Sequence, residues 1–267
     1  MVSIHSTAVV DPKACLASSV SIGPFCVVGP DVELEDNVSL SSHVVVEGRT
    51  RVGRGTRIFP FAVVGICPQD LKYKGEPSSL EIGRDCTIRE HVTVNPGTEG
   101  GGMLTSIGDR VMLAIGAHVA HDCTVGNDVL VMNHVLLGGH VEIGDFAVIG
   151  GGSAAHQFAR IGCHAMVGGL SGVEGDVIPY GTVTGNRARL EGLNLIGLKR
   201  RGFLRKDISA LQEAFQVLFH PSDPGIVFSK RLEVVQKSWP DNVPVCDMVR
   251  FIHDASSRPL CRPLGSQ

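Results

Sequence analysis

Aromatic residues are scarce in this chain: one Trp, two Tyr and ten Phe in 267 residues. A core built on large rings is thereby disfavoured. The 33 glycines and the 43% of hydrophobic residues point instead to small and medium aliphatic side chains packed between many tight turns. Any C-x-x-C pair is also missing. Cys15, Cys26, Cys67, Cys86, Cys123, Cys163, Cys246 and Cys261 are scattered, which excludes the disulfide framework of a small secreted domain and fits a reduced, intracellular protein. No run approaches ~18 consecutive apolar residues, so membrane insertion is not expected. Met1-Val2-Ser3-Ile4-His5-Ser6 has neither the basic region nor the apolar stretch of a signal peptide. Positive charge is not in excess either; the formal net charge of -3 offers nothing to nucleic acid. The expectation is a soluble, cytoplasmic protein.

What the chain does have is a period. An aliphatic residue recurs at every sixth position from Ile4 through Val64, again from Ile82 through Val94, and after a phase shift from Ile107 through Val173. Neither the 3.6-residue period of a helix nor simple alternation gives this spacing; short strands joined by tight corners do. Two positions earlier stands a small or β-branched residue, as in Val20, Cys26, Val32, Ala117, Cys123 and Val129. Residues i-2 and i share a strand face, so these also point inward, and Cys26, Cys86 and Cys123 read as small core residues. Glycine often follows the aliphatic, as at Gly23, Gly53, Gly83 and Gly108, where a corner is expected to need permissive backbone angles.

Such a repeat resembles the hexapeptide-repeat acyltransferase superfamily, which implies a left-handed parallel β-helix with three hexads per coil. The handedness comes from the resemblance, since general crossover rules favour the opposite hand. Two loops interrupt the period, near 66–80 and 95–106. The first is read as functional and the second, glycine-rich, as a surface excursion. From about Arg187 the pattern becomes helical: Asp207–Phe219 with Asp207 as N-cap and Pro221 beyond its end, then roughly Pro224–Lys237 and Val245–Ser256, separated by Trp239-Pro240. The expected organisation is a β-helix over 1–187 and a small helical domain over 188–267, with a loose tail after Arg258.

With three hexads per coil, residues 18 apart stack about 5 Å from one another. His121 then lies beneath Gly139 and Gly139 beneath Gln157, while Asp122 lies beneath His140 and Gly138 beneath His156. His118 falls on the neighbouring turn or face. Two chemistries can use such a column. In one, an imidazole acts as general base with the adjacent carboxylate orienting it, and a backbone N–H such as that of Gly139 faces a thioester oxyanion. In the other, three histidines hold zinc and activate water, as in the carbonic anhydrases of this same fold. A non-catalytic solenoid that binds a sugar nucleotide is a third possibility.

Five motifs bear on the choice: His118-Val-Ala-His121-Asp122-Cys-Thr-Val-Gly126, Gly139-His140-Val141, His156-Gln157-Phe158, Gln69-Asp70-Leu71-Lys72-Tyr73 and Gly197-Leu198-Lys199-Arg200-Arg201-Gly202-Phe203. Together they closely resemble the UDP-N-acetylglucosamine 3-O-acyltransferase family of lipid A synthesis. The related N-acyltransferases carry a separate nucleotide-binding domain before the repeat, for which a chain entering the repeat at Ile4 leaves no room. The resemblance implies transfer of a β-hydroxyacyl chain from the phosphopantetheine thioester of acyl carrier protein to the 3-position of the UDP-sugar, with no metal, no other cofactor and no covalent acyl-enzyme. It implies His121 as general base, Asp122 as its partner and the Gly139 N–H as oxyanion donor. Gln69, Asp70, Lys72, His118, His140, His156 and Gln157 would hold sugar nucleotide and acyl group, and Asn194, Arg200 and Arg201 the uridine and phosphates. Lys199, Arg200, Arg201, Arg205 and Lys206 would attract the acidic carrier protein. Gly169 would leave the acyl groove long. Ile196 departs from the pattern, standing where relatives often carry an acidic residue. The family assembles as a homotrimer with sites between neighbouring solenoids, an arrangement a flat-sided prism makes reasonable.

Overall fold

The computed structural model describes residues 2–220 and 225–265. Its body is a left-handed parallel β-helix in which short strands, most of two residues, stack into three sheets of eleven, nine and eight strands. Through Val173, consecutive strands in the chain visit the three sheets in turn, and each pairs in parallel with the strand one coil on. Thus Ile4 pairs with Ile22, Val119 with Leu137, and Leu137 with Ala155. The aliphatic period forms the core. Leu34, Ile58, Ile88, Leu113, Leu137 and Ile161 are all buried, as are the small residues two positions earlier, including Cys26, Cys86 and Cys123.

Three corners close each coil, giving three edges. The first joins the first sheet to the second, the second joins the second to the third, and the third returns to the first. In most corners one residue takes a left-handed backbone conformation, and most of these are not glycine: Phe25, His43 and Phe61 on the first edge, Asp122, His140 and Phe158 on the second, Asp128, Phe146 and His164 on the third.

The corner glycines therefore serve a different purpose from the one expected. Gly53, Gly83, Gly108 and Gly126 do not adopt positive φ; they form a column along the third edge where successive backbones touch. A Cβ on Gly83 would lie 2.5 Å from the carbonyl carbon of Gly108. Close approach, rather than conformational freedom, excludes side chains there.

Strand pairing runs beyond residue 187. Gly181–Thr184 continues the first sheet, and Arg189–Leu193 turns back antiparallel to it. Four helices follow: α1 (Leu195–Arg200), α2 (Arg205–Phe219), α3 (Phe228–Ser238) and α4 (Val243–His253). The sequence period misses α1, which is too short to show one. Leu204, not Asp207, occupies the N-cap of α2. Asp207 lies within the first turn, where the helix dipole favours an acid, and accepts a hydrogen bond from Asn242 Nδ2 at 2.9 Å. Helix α3 starts after the expected Pro224, and both Pro221 and Pro224 lie outside the described residues. Helix α4 runs from Val243 to His253 rather than Val245 to Ser256, because Asn242 caps it by accepting from Val245 N–H.

The segment after Arg258 is not a loose tail. Leu260 bridges to Asp176, Cys261 is buried, and the Arg160 guanidinium joins Asp176 at 2.7 Å while donating to the Phe251 carbonyl. The stretch from Pro259 to Cys261 is thereby fastened to the solenoid. Among the described residues no helix is long and apolar enough to cross a membrane, and all eight cysteines are free thiols.

Candidate active site

Extended neighbours point to opposite faces of a strand, so adjacent side chains do not ordinarily meet. The left-handed turn at Asp122, with φ of 60°, brings its carboxylate round to the His121 ring. His121 Nδ1 lies 2.8 Å from Asp122 Oδ2. A carboxylate only accepts, so Nδ1 carries a proton, and in the neutral ring Nε2 presents a lone pair. That nitrogen has no hydrogen-bond partner among the described residues.

Asp122 is enclosed. Its Oδ1 accepts from the Thr98 backbone N–H at 2.8 Å and its Oδ2 from the Thr98 hydroxyl at 2.6 Å, while its own N–H donates to Thr105 Oγ1. The second loop thus seats on the dyad rather than standing off as a surface excursion. Gly101 packs so tightly on the Asp122 carboxylate that no Cβ fits between them. Sequence reasoning missed Thr98, because a loop contact leaves no mark on the six-residue period.

Above the dyad, His140 meets His121 edge-on with ring centroids 5.0 Å apart and stacks on Phe158 at 4.3 Å. Its Nε2 lies 3.9 Å from Asp122 Oδ2. Burial lowers the His140 pKa, offset in part by the charges of Asp122 and Asp70. His118, on the outer face of the second sheet, has Nδ1 2.7 Å from Thr93 Oγ1; burial, and then the charge of His121, lower its pKa also. Both rings are therefore neutral at pH 7. The ring of His121 lies against Gly139, where a Cβ would fall 2.5 Å from Cε1 and 2.6 Å from Nε2. The Gly139 N–H has no partner among the described residues. Cys123, fully buried with a thiol pushed up to about 12 by desolvation, is a core residue and no nucleophile.

One coil higher, His156 and Gln157 are exposed on the same edge, and Arg258 donates to the Gln157 carbonyl and to His156 Nδ1. The first loop also leaves from this edge, tethered by Asn95 Nδ2 to the Ile66 carbonyl. It carries Gln69, Asp70 and Lys72, with Leu71 fully exposed at its tip.

Four expected site residues lie elsewhere. Asn194 caps α1 through Gly197 N–H and donates to the His164 carbonyl, so both of its polar atoms are engaged on the third edge. Arg201 lies on that edge too, donating to the Phe146 carbonyl at 2.7 Å with its guanidinium over the Phe146 ring. Arg200 is exposed beside it on α1, and Ile196 is exposed on the same helix. Gly169 sits on the first edge, where a Cβ would find the Gly151 carbonyl oxygen nearest, at 3.3 Å. One protomer does not bring these residues to His121.

A parallel β-helix of hexapeptide repeats with a His–Asp dyad on one edge defines a hexapeptide-repeat transferase. The family models agree: one described as bacterial transferase hexapeptide, six repeats, matches residues 104–139, and one described as UDP N-acetylglucosamine O-acyltransferase, domain 2, matches 176–261. The chain belongs to the UDP-N-acetylglucosamine O-acyltransferase family. An acyl-(acyl-carrier-protein)–UDP-N-acetylglucosamine O-acyltransferase of Rhizobium johnstonii is 46% identical over 99% of this chain and 96% of its own. The enzyme of that name from Bartonella henselae is 45% identical over 97% and 94%. Among solved structures, the UDP-N-acetylglucosamine O-acyltransferase of Moraxella catarrhalis superposes with a TM-score of 0.93 at 39% identity, covering 97% of this chain and 99% of that one. The Francisella novicida enzyme gives 0.94 at 34% identity, covering 100% and 95%.

Proposed function

We propose that this chain transfers a β-hydroxyacyl group from acyl carrier protein to the 3-position of UDP-N-acetylglucosamine, the first step of lipid A synthesis, with His121 as general base. The observation that carries the mechanism is the His121–Asp122 contact, which fixes the Nδ1–H tautomer and leaves Nε2 basic and unpartnered. Nε2 takes the proton from the 3-hydroxyl as its oxygen attacks the thioester carbonyl carbon. Asp122 stabilises the imidazolium, and the free Gly139 N–H faces the oxyanion. Collapse of the tetrahedral intermediate breaks the C–S bond, and the imidazolium returns its proton to the departing thiolate. The ester and the free carrier thiol result, with no metal, no further cofactor and no acyl-enzyme.

Gln69, Asp70 and Lys72 with neutral His118 and His140 bind the sugar nucleotide, and His156 and Gln157 line the edge above. His121, Asn194, Arg200 and Arg201 come together only between protomers. The outer faces support a cyclic trimer: the second sheet presents Val9, Val27, Val45, Val63 and Leu136, and the upper first sheet presents Met112, Leu130, Val148 and Met166. The third sheet presents Glu33, Arg51, Glu81 and Glu142 and suits solvent. Packing the two apolar faces inward sets the second edge of one protomer against the third edge of the next. The acyl chain then crosses the second sheet past Leu136, Ala154 and Gly172 towards Gly169. Exposed Lys199, Arg200, Arg205 and Lys206 offer the carrier protein a positive surface. Free thiols and the carrier-borne donor fit a cytoplasmic location.

A metal-centred reading has one observation in its favour: His121, Asp122 and His140 place one donor atom each within 4.8 Å. The Asp122 oxygens, however, already accept from Thr98 and His121. Incubation with a ladder of β-hydroxyacyl carrier proteins and with hydroxyl and 3-amino acceptor sugars tests the function. Thioester consumption with stoichiometric acyl-sugar, undiminished by chelators, supports it. Unconsumed thioester leaves a sugar-nucleotide-binding solenoid, and loss of turnover on chelation leaves the metal reading.

A further inference from the structure

A buried carboxylate must be satisfied by hydrogen bonds, and the groups that satisfy it decide which neighbour it serves. The Asp122 side chain is wholly buried and has two imidazoles in reach, His121 at 2.8 Å and His140 at 3.9 Å, both on the same oxygen. Its other two hydrogen bonds both come from one residue. Thr98, itself 4% exposed, engages Oδ1 through its backbone N–H and Oδ2 through its hydroxyl. We propose that Thr98 is a positioning residue for acyl transfer: it clamps both oxygens of Asp122 so that the carboxylate holds His121, rather than His140, and keeps His121 Nε2 directed at substrate.

The seat of Thr98 is built. Its carbonyl accepts from Met103 N–H and Gly101 N–H, closing the loop on itself. On one side Gly97 N–H donates to the Ser79 carbonyl; on the other Glu99 N–H donates to Glu76 Oε1. Glu76 belongs to the first loop, the one that carries Gln69, Asp70 and Lys72. The substrate loop therefore braces the loop that fixes the base. Gly101 completes the clamp by lying against the carboxylate where any side chain would collide. The charged and titratable groups around Asp122 are His121, His140, the Asp70 charge that reaches His140, His118 beside His121, and the Cys123 thiol on the core side.

The inference rests on the acid–base reading of His121, and its test separates the two. Thr98→Val keeps the backbone donor and the shape but deletes the hydroxyl; Thr98→Ser restores it, and Thr98→Ala serves if the branched side chain disturbs the loop. One hydrogen bond to a charged group corresponds to a fall in kcat of about 10- to 100-fold. Thr98→Val should show that loss with KM for the sugar nucleotide nearly unchanged. The acid limb of its kcat/KM profile should move to higher pH, because a carboxylate that loses a donor takes up a proton more readily. Thr98→Ser should recover most of the rate and the original profile. Wild-type turnover in Thr98→Val and Thr98→Ala overturns the proposal, as does equal loss in all three variants with an unmoved profile. Retained activity in His121→Ala would instead overturn the acid–base reading beneath it.

Discussion

His118, His121 and His140 are three imidazoles at one edge, and their surroundings give them different work. Only His121 has its Nδ1 committed to a carboxylate and its Nε2 free. Burial holds His118 and His140 below the ordinary imidazole value of 6.5. Both should stay neutral as pH falls from 7 through 6.5, so NMR titration should place each midpoint below 6.5; a midpoint above it would contradict the burial argument. Gly139 holds the ring in a second way, by giving it room. Gly139→Ala is expected to push His121 aside and lower kcat by roughly 100-fold while sugar-nucleotide binding persists, as separate kcat and KM measurements would show. The stacking of His121 beneath Gly139 and of Asp122 beneath His140 was legible in the sequence, because an 18-residue coil converts spacing into contact. Thr98 was not, since it reaches Asp122 from a loop outside the repeat.

At the scale of elements, the strands of the repeat were readable because nearly every hexad from Val20 onward buries its own aliphatic, whereas Arg189–Leu193, beyond the repeat, was not. The loops and the end of the chain were not. The glycine-rich loop carries no periodic signal, and its part in the site appears only when Thr98 and Gly101 meet Asp122. The terminal segment looked loose because its anchor is tertiary: the Asp176 backbone bonds to Pro259 and Cys261, while the Asp176 carboxylate holds Arg160 at 2.7 Å, side chains 1% and 12% exposed, with that guanidinium over the Phe251 ring of α4. Asp176→Ala leaves that guanidinium buried and unpaired, which should cost about 3–5 kcal/mol, read as a lower urea midpoint with early proteolysis of α4. Little change in midpoint would mean that the segment is held by other contacts. The glycine column makes a parallel point. Its residues were legible and their reason was not, since close approach between coils is invisible in a single hexad.

The whole molecule joins a solenoid to its helical cap at the third edge, where Arg201 contacts His164 Nδ1 at 3.1 Å. Burial, and then the Arg201 charge, lower the His164 pKa to about 4. The folded value lies below that of the unfolded chain, so the unfolded state binds more protons between pH 6.5 and about 4. Stability present above pH 6.5 should therefore decline as pH falls across that window. The thermal midpoint should follow it, and His164→Phe should flatten the decline; an unchanged slope would assign it to other groups. The proposed trimer has its own test. Inactive His121→Ala and Arg200→Ala chains, mixed under conditions that exchange subunits, should regain activity, because some interfaces then pair an intact second edge with an intact third edge. No recovery after proven exchange would place the whole site within one protomer.

The claim that His121 is the base of an acyl transfer is tested most directly by the rate at which His121→Ala consumes β-hydroxyacyl carrier protein in the presence of UDP-N-acetylglucosamine. General-base catalysis contributes about 10²–10⁴-fold. The variant should lose a factor in that range while its sugar-nucleotide affinity and assembly mass match those of the parent. Turnover close to that of the parent would contradict the account.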